Sequence, residues 1–182
     1  MEFTPLEIQD VILVTPRVFE DERGFFLESF REDRFAAAGI TARFVQDNHS
    51  ASSQGVLRGL HYQIQQAQGK LLRCVAGEIY DVAVDLRRSS PTFGRWVAVT
   101  LSARNKQMLW VPPGFAHGFY VLSERAEILY KASDYYAPQH ERSLLWNDPA
   151  LAISWPLVDG AAPTLSKKDA DGLPLSQAET YS

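Results

Sequence analysis

The hydrophobic positions of this chain fall into short runs broken by turn residues, and long helical stripes are absent. Val11–Val14 is an apolar run stopped by Pro16, which suits a first strand. Glu20-Asp21-Glu22-Arg23-Gly24 reads as a polar turn into a second strand, Phe25–Glu28. Ser29 precedes Phe30-Arg31-Glu32, a hydroxyl followed by a glutamate three residues on, and predicts a helix start. Phe35 and Ala36–Ala38 continue that short helix, and Gly39 stands where its end needs a left-handed residue. From residue 43 the pattern becomes a succession of strands: Phe44–Asn48, Val56–Gln63, Lys70–Ala76, Glu78–Leu86, Trp96–Leu101, Gln107–Val111, His117–Leu122 and Ala126–Ser133. Gly77 predicts a tight hairpin between two of these. In Ile79–Leu86, alternation puts Asp81 and Asp85 on one face and apolar side chains on the other. After Trp155-Pro156 the chain becomes loop-like, with Ser166-Lys167-Lys168-Asp169 opening a small terminal helix. The prediction is an all-β jelly roll of two packed antiparallel sheets with a few short helices.

Composition narrows the class. At 182 residues the chain fits one domain able to bury its own core. Hydrophobic content of 46% with 22% charged residues argues against disorder. The net charge of −4 makes the chain as a whole repel nucleic acid, so an anionic substrate needs a local cluster of cations. Cys74 is the only cysteine, which excludes an internal disulfide and fits a reducing compartment. The first residues lack the basic and apolar regions of a signal peptide, and no uncharged apolar run is long enough to span a membrane. The expectation is a cytoplasmic protein without nucleic-acid or membrane partners.

Gly55-Val56-Leu57-Arg58-Gly59-Leu60-His61-Tyr62-Gln63 departs from the simple strand pattern. Arg58 and His61 are costly to desolvate without partners or a ligand. Their odd separation sends them to opposite faces of a regular strand, unless Gly59 hosts a bulge that brings both to one side. Pro112-Pro113-Gly114-Phe115-Ala116-His117 matches the Pro-x-Gly-x-x-His signature of the cupin superfamily. Metal cupins pair it with His-x-His and a glutamate, whereas this chain reads His61-Tyr62-Gln63. Two histidines, with only Gln63 and Glu78 to add, make a poor transition-metal site, so no metal or other cofactor is expected. The histidine then suits acid–base work, its unperturbed pKa being ~6.5. A hydrogen-bonded core histidine is the plain alternative for His61, but Arg58 and Lys70 nearby suggest an anion pocket. Tyr130, with Tyr135 and Tyr136, is either core packing or a proton donor beside a stacking surface. Gln46-Asp47-Asn48-His49 is too polar for an ordinary strand and reads as an exposed edge or an amide-lined groove.

Several strings together resemble the dTDP-4-dehydrorhamnose 3,5-epimerases, a family of the cupin superfamily with a double-stranded β-helix fold. They are Glu22–Phe30, Phe44–Ser50, Gly55–Gln63, Ala67–Leu71, Gly114–Phe119, Leu129–Lys131 and Leu165–Asp169, in order and across nearly the whole chain. The resemblance implies an isomerase that inverts C3 and C5 of dTDP-4-dehydro-6-deoxy-D-glucose on the way to dTDP-L-rhamnose. It makes His61 the base, Tyr130 the acid, Asp169 the partner of His61, and Lys70 the stabiliser of the enolate oxygen. It assigns Arg23, Arg58 and Lys168 to the diphosphate, and Gln46 and Asn48 to the nucleotide. Phe26, Glu28 and Tyr136 fall at the thymine with Glu141 nearby, His117 at the sugar, and Asp81 beside Lys70. It also implies a homodimer, with Arg23 and Glu28 acting across the interface. In this reading residues 1–182 form one domain. Segment 1–48 contributes to the dimer, the jelly-roll core spans about 43–136, and segment 156–182 closes the site. The alternatives are a mono-epimerase or 3,4-ketoisomerase of the same sugar class, a non-catalytic sugar-nucleotide binder, and a metal-dependent cupin oxygenase or isomerase.

Overall fold

A computed structural model describes residues 1–182. Two antiparallel sheets face each other. The six-stranded sheet runs, edge to edge, β1 (Glu2–Pro5), β2 (Ile12–Thr15), β10 (Met108–Val111), β7 (Lys70–Ala76), β12 (Arg125–Ala132) and β5 (Gln46–Ser53). The five-stranded sheet runs β13 (Glu141–Ser143), β6 (Leu57–Gln63), β11 (Phe115–Val121), β8 (Glu78–Asp85) and β9 (Trp96–Ser102). A separate hairpin pairs β3 (Val18–Asp21) with β4 (Gly24–Leu27), and the two α-helices are α1 (Glu32–Ala37) and α2 (Lys167–Ala170). This is the expected cupin-type jelly roll with few short helices.

Three apolar layers explain why the central strands, β10 and β11 above all, are buried along their whole length. Ile79, Ala83, Phe115, Phe119, Leu72, Ile128 and their neighbours fill the space between the sheets. Leu60, Tyr62, Val82, Val84 and Ala116 face the other way and pack on Leu144, Leu151 and Ala178 from the later chain. Val14, Leu71, Met108 and Trp110 do the same behind the six-stranded sheet, under Phe35 and Ile40. Asp81 and Asp85 share a face as expected, but it is the inner one, and both are fully buried. Asp85 is satisfied there by Arg87, Ser90 and Thr92, all within 2.9 Å.

Several local expectations are corrected. Gly77 (φ +73°) makes no hairpin, because β7 and β8 belong to different sheets, so it is a corner where the chain changes layer. A Cβ there would lie 2.0 Å from the Arg125 carbonyl, which leaves only glycine room. The first helix starts later than Ser29: Arg31 occupies the N-cap with extended φ/ψ and makes no side-chain cap, its guanidinium instead bonding Asp33 at 2.6 Å. Gly39 does take a left-handed φ of +85° after the helix. Residues Val18–Asp21, expected partly as turn, are a strand, and β1 and β13 carry no strong pattern of their own. At the chain's other end, Ser166 caps α2 by accepting from the Asp169 N–H at 3.2 Å.

The expected irregularity at Gly59 is present. In the β6–β11 ladder His61 pairs with His117 and Arg58 with Phe119, so β6 spends one residue more than β11 between these pairs. That extra residue reverses the parity, and both Arg58 and His61 point inward. Gly59 has φ +135°, and a Cβ on it would sit 2.5 Å from the Gly118 Cα. A Cβ on Gly118 would in turn meet the Arg58 carbonyl at 2.7 Å, so two facing glycines permit the close approach. Gly118→Ala, which carries no positive-φ penalty, is expected to lower the unfolding free energy by roughly 1–3 kcal/mol. Urea titration checks this, and an unchanged midpoint would mean that the two backbones do not meet there.

Candidate active site

The inward faces of β5, β6, β7, β11 and β12 enclose a cleft of about 370 Å³ between the sheets. Strand period explains its lining. On β5 the residues alternate, so Gln46, Asn48 and Ser50 face the cleft while Asp47 and His49 face out to Lys131 and Glu127. Tyr130 of the adjacent β12 stands opposite Asn48, and Lys70 of β7 pairs with Ala132 of β12. Arg58 and His61 enter from the five-stranded sheet, and His117 pairs directly with His61. Tyr136, Glu141 and Lys168 complete the rim.

The electrostatics separate the groups by role. Nε2–H of His61 donates to Oδ1 of Asp169, which leaves Nδ1 free of hydrogen bonds. Burial pushes the His61 pKa below 6.5, and Lys168 and Lys70 push the same way against the raising effect of Asp169. Asp169 is itself 2% exposed. Burial raises its pKa, but hydrogen bonds from His61 and Ser166 outweigh this and hold it below the usual carboxylate range. Ser166 Oγ–H donates to Asp169 Oδ2 at 2.7 Å, so both carboxylate oxygens are engaged.

Lys70 is pushed down to about 8, chiefly by burial, with Glu141 and Asp81 opposing. Neither carboxylate lies within ion-pair distance of it, so its ammonium remains available to a ligand. The Tyr130 hydroxyl is raised by burial and by the charge of Glu141, which keeps it a protonated donor at neutral pH. Glu141 joins two rim groups: Oε1 accepts from Lys168 at 2.8 Å and Oε2 from the Tyr136 hydroxyl at 2.8 Å. His117 Nε2–H donates to the fully buried Asp81 at 2.9 Å and 3.1 Å. Arg58 donates through Nε to Ser52 Oγ at 2.9 Å. Arg58, Lys70 and Lys168 thus concentrate positive charge in one cleft of a chain whose net charge is −4, which favours an anionic ligand.

Most of the expected site residues converge here, but not all. Gln46, Asn48, Arg58, His61, Lys70, His117, Tyr130, Tyr136, Glu141 and Lys168 line the cleft, and Asp169 stands behind His61. Arg23, Phe26 and Glu28 lie outside it. Arg23 pairs with Asp21 at the tip of the β3–β4 hairpin, Phe26 is exposed, and Glu28 lies near Arg31 and Arg34. Gln63 is occupied elsewhere, with its amide bonded to the backbone of Gln66, Tyr135 and Ala137. Glu78 is at the exposed start of β8. No group of three or more His, Cys, Asp or Glu side chains has metal-binding spacing. Ser50 and Gln68 also line the cleft, beyond the residues expected from sequence. Ser50 continues the inward alternation of Gln46 and Asn48, and its buried Oγ has no hydrogen-bond partner.

Comparison with known proteins identifies the family. The model of the dTDP-4-dehydrorhamnose 3,5-epimerase family matches residues 5–177. The dTDP-4-dehydrorhamnose 3,5-epimerase of Pseudomonas aeruginosa is 60% identical over 182 residues, covering 100% of this chain and 99% of the relative. The crystal structure of dTDP-6-deoxy-D-glucose-3,5-epimerase from Legionella pneumophila, in complex with dTDP-4-keto-L-rhamnose, aligns with a TM-score of 0.94 at 53% identity, covering 98% of this chain and 94% of that one. ChmJ, a 3'-monoepimerase from Streptomyces bikiniensis solved with dTDP-quinovose, aligns with a TM-score of 0.88 at 36% identity, covering 94% and 87%. The fold is therefore common to proteins named for one epimerised carbon and for two. With a family match of nearly full length and a relative at 60% identity, the chain belongs to the dTDP-4-dehydrorhamnose 3,5-epimerase family.

Proposed function

We propose that this chain epimerises C3 and C5 of dTDP-4-dehydro-6-deoxy-D-glucose by acid–base chemistry, giving dTDP-4-dehydro-L-rhamnose. The observation that carries the reading is that His61, on one sheet and bonded to Asp169 of α2, shares the cleft with the half-buried phenol of Tyr130 on the other sheet. The C4 ketone acidifies the hydrogens on both neighbouring carbons. His61 Nδ1 takes the proton, and Asp169 holds the Nε2–H and supports the resulting imidazolium. The electrons move onto the C4 oxygen as an enolate, stabilised by the unpaired Lys70 ammonium. Tyr130 then delivers its proton to the opposite face of the same carbon, which inverts it. Both groups recover their starting states by exchange with solvent, and the cycle repeats at the second carbon. Every step is a proton transfer, so none requires a metal or a redox cofactor.

Arg58 and Lys168 suit the diphosphate as charged donors, Arg58 with a planar fork. Asn48 and the remaining Gln46 N–H suit polar atoms of the nucleotide, and Tyr136 a stacked base, with His117 at the sugar. The C-terminal segment closes one side by bringing Asp169 and Lys168 to the cleft. The β3–β4 hairpin serves a partner copy. Phe25 and Phe26 are 61% and 70% exposed, and covering such a side chain is worth ~1.5–3 kcal/mol. A homodimer that buries this hairpin would deliver Arg23, Phe26 and Glu28 to the neighbouring cleft.

In D₂O with dTDP-4-dehydro-6-deoxyglucose, deuterium is expected at both C3 and C5, read by NMR of the product. His61→Ala is expected to abolish both exchanges. Tyr130→Phe should keep part of the exchange while inversion falls, since enolate formation precedes the acid step. Label at one carbon alone would identify a mono-epimerase, and exchange surviving in His61→Ala would refute the assigned base. Sedimentation should give a dimer for the unmodified chain and a monomer with weakened dTDP binding for Phe25→Asp combined with Phe26→Asp. A fully active monomer would refute the shared-site arrangement.

A further inference from the structure

The segment Asp134–Ala137 carries two tyrosines, Tyr135 and Tyr136, that are 61% and 52% exposed. A connector with such side chains and few backbone hydrogen bonds is ordinarily mobile. Here four consecutive residues are each held through the backbone by a glutamine side chain. Gln68 Nε2–H donates to the Asp134 carbonyl at 2.8 Å, and Gln63 Nε2–H to the Tyr135 carbonyl at 3.2 Å. The Tyr136 N–H donates to Gln46 Oε1 at 2.9 Å, and the Ala137 N–H to Gln63 Oε1 at 2.8 Å. The three glutamines come from β5, the end of β6 and the β6–β7 loop.

Gln63 differs from the other two. It is 3% exposed and does not line the cleft, so it cannot meet a ligand directly. Its second Nε2–H goes to the Gln66 carbonyl at 2.7 Å, which saturates the amide nitrogen. The position demands two donors and one acceptor in a neutral side chain, which a primary amide supplies and an imidazole or a carboxylate does not. What Gln63 holds matters for the cleft, because the Tyr136 hydroxyl bonds Glu141 and Glu141 bonds Lys168, making one continuous rim.

We infer that Gln63 is a positioning residue for ligand affinity: it fixes the 134–137 segment before binding, so that the Tyr136–Glu141–Lys168 rim meets its ligand already formed. The inference rests on the proposed function in taking that ligand as a dTDP-sugar. Pre-forming a binding wall removes the ordering cost from association without touching the chemical step. The effect should therefore appear in KM and Kd and leave kcat unchanged.

The test begins with amide exchange by NMR on the unmodified protein. The Tyr136 and Ala137 amides, bonded only to glutamine side chains, should exchange slowly without ligand and gain little protection from dTDP. Fast exchange in the free protein, followed by strong protection on adding dTDP, would overturn the inference. Gln63→Met keeps the side chain's length and removes its donors and its oxygen. It is expected to speed Ala137 exchange and weaken dTDP binding and KM by about tenfold, the scale of losing one or two net hydrogen bonds, with kcat at saturation unchanged. A folded Gln63→Met protein with unaltered dTDP affinity, or with lost kcat at unaltered affinity, would also overturn it. If that variant does not fold, the exchange data on the unmodified chain decide the matter. Failure of the unmodified chain to bind dTDP would refute the proposed function, while its free-state exchange would still judge the glutamine contacts.

Discussion

The site depends on one constraint of β-structure: side chains on a strand alternate faces. Arg58 and His61 are three residues apart and need the same face, and the ladder meets this by placing an additional β6 residue against β11. Gly59 and Gly118 make the irregularity possible by letting the two backbones close to distances that a Cβ would forbid. Past the shift, His61 and Gln63 point inward while Leu60 and Tyr62 pack outward. That outer face also anchors the C-terminal segment, since the Tyr62 hydroxyl donates to the Glu179 carbonyl at 2.6 Å. The same segment contains α2, which carries Asp169 to the back of His61. Parity on one strand therefore governs where Arg58, His61, Asp169 and Gln63 stand, the first three being the proposed phosphate cation, base and partner of the base.

Burial then divides the labour among these groups. It lowers His61 and Lys70 and raises Tyr130, in each case against the charged form. An isolated buried histidine would gain nothing from this, but the hydrogen bond and charge of Asp169 favour the imidazolium form that the proposed base must take up. Lys70 remains a cation over most of the physiological range because its pKa stays at about 8. Its distant carboxylates, Glu141 and Asp81, stabilise that charge without occupying the ammonium.

Much of this was legible in the sequence. Strand cores are legible because Leu71, Leu72, Cys74 and Val75 make Lys70–Ala76 mainly apolar and Ile79, Val82 and Val84 supply β-branched residues to Glu78–Asp85, and the cleft residues are carried by motif strings as much as by pattern. The corner at Gly77 is not legible, because a glycine between two strands looks the same whether they pair or part. Sequence pattern puts strand β5 too early because its inner face, Gln46, Asn48, Ser50 and Ser52, is polar, and strand rules weight apolar alternation. Read as alternation alone, without regard to polarity, it would have yielded Ser50. Gln63 was recognised for what it replaces in a metal cupin, while its structural use depends on a segment more than seventy residues away and has no local signature.

The central claim is that one buried cleft holds a neutral base and a charged lysine together, and the pH dependence of kcat/KM measures it most directly. That parameter reports the free enzyme. Activity should rise with pH through a limb below 6.5, as His61 loses its proton, and fall through a limb at about 8, as Lys70 loses its own. Lys70→Arg should remove the upper limb, since a guanidinium stays protonated there. An acid limb above 6.5, or an upper limb that persists unchanged in Lys70→Arg, would contradict the account.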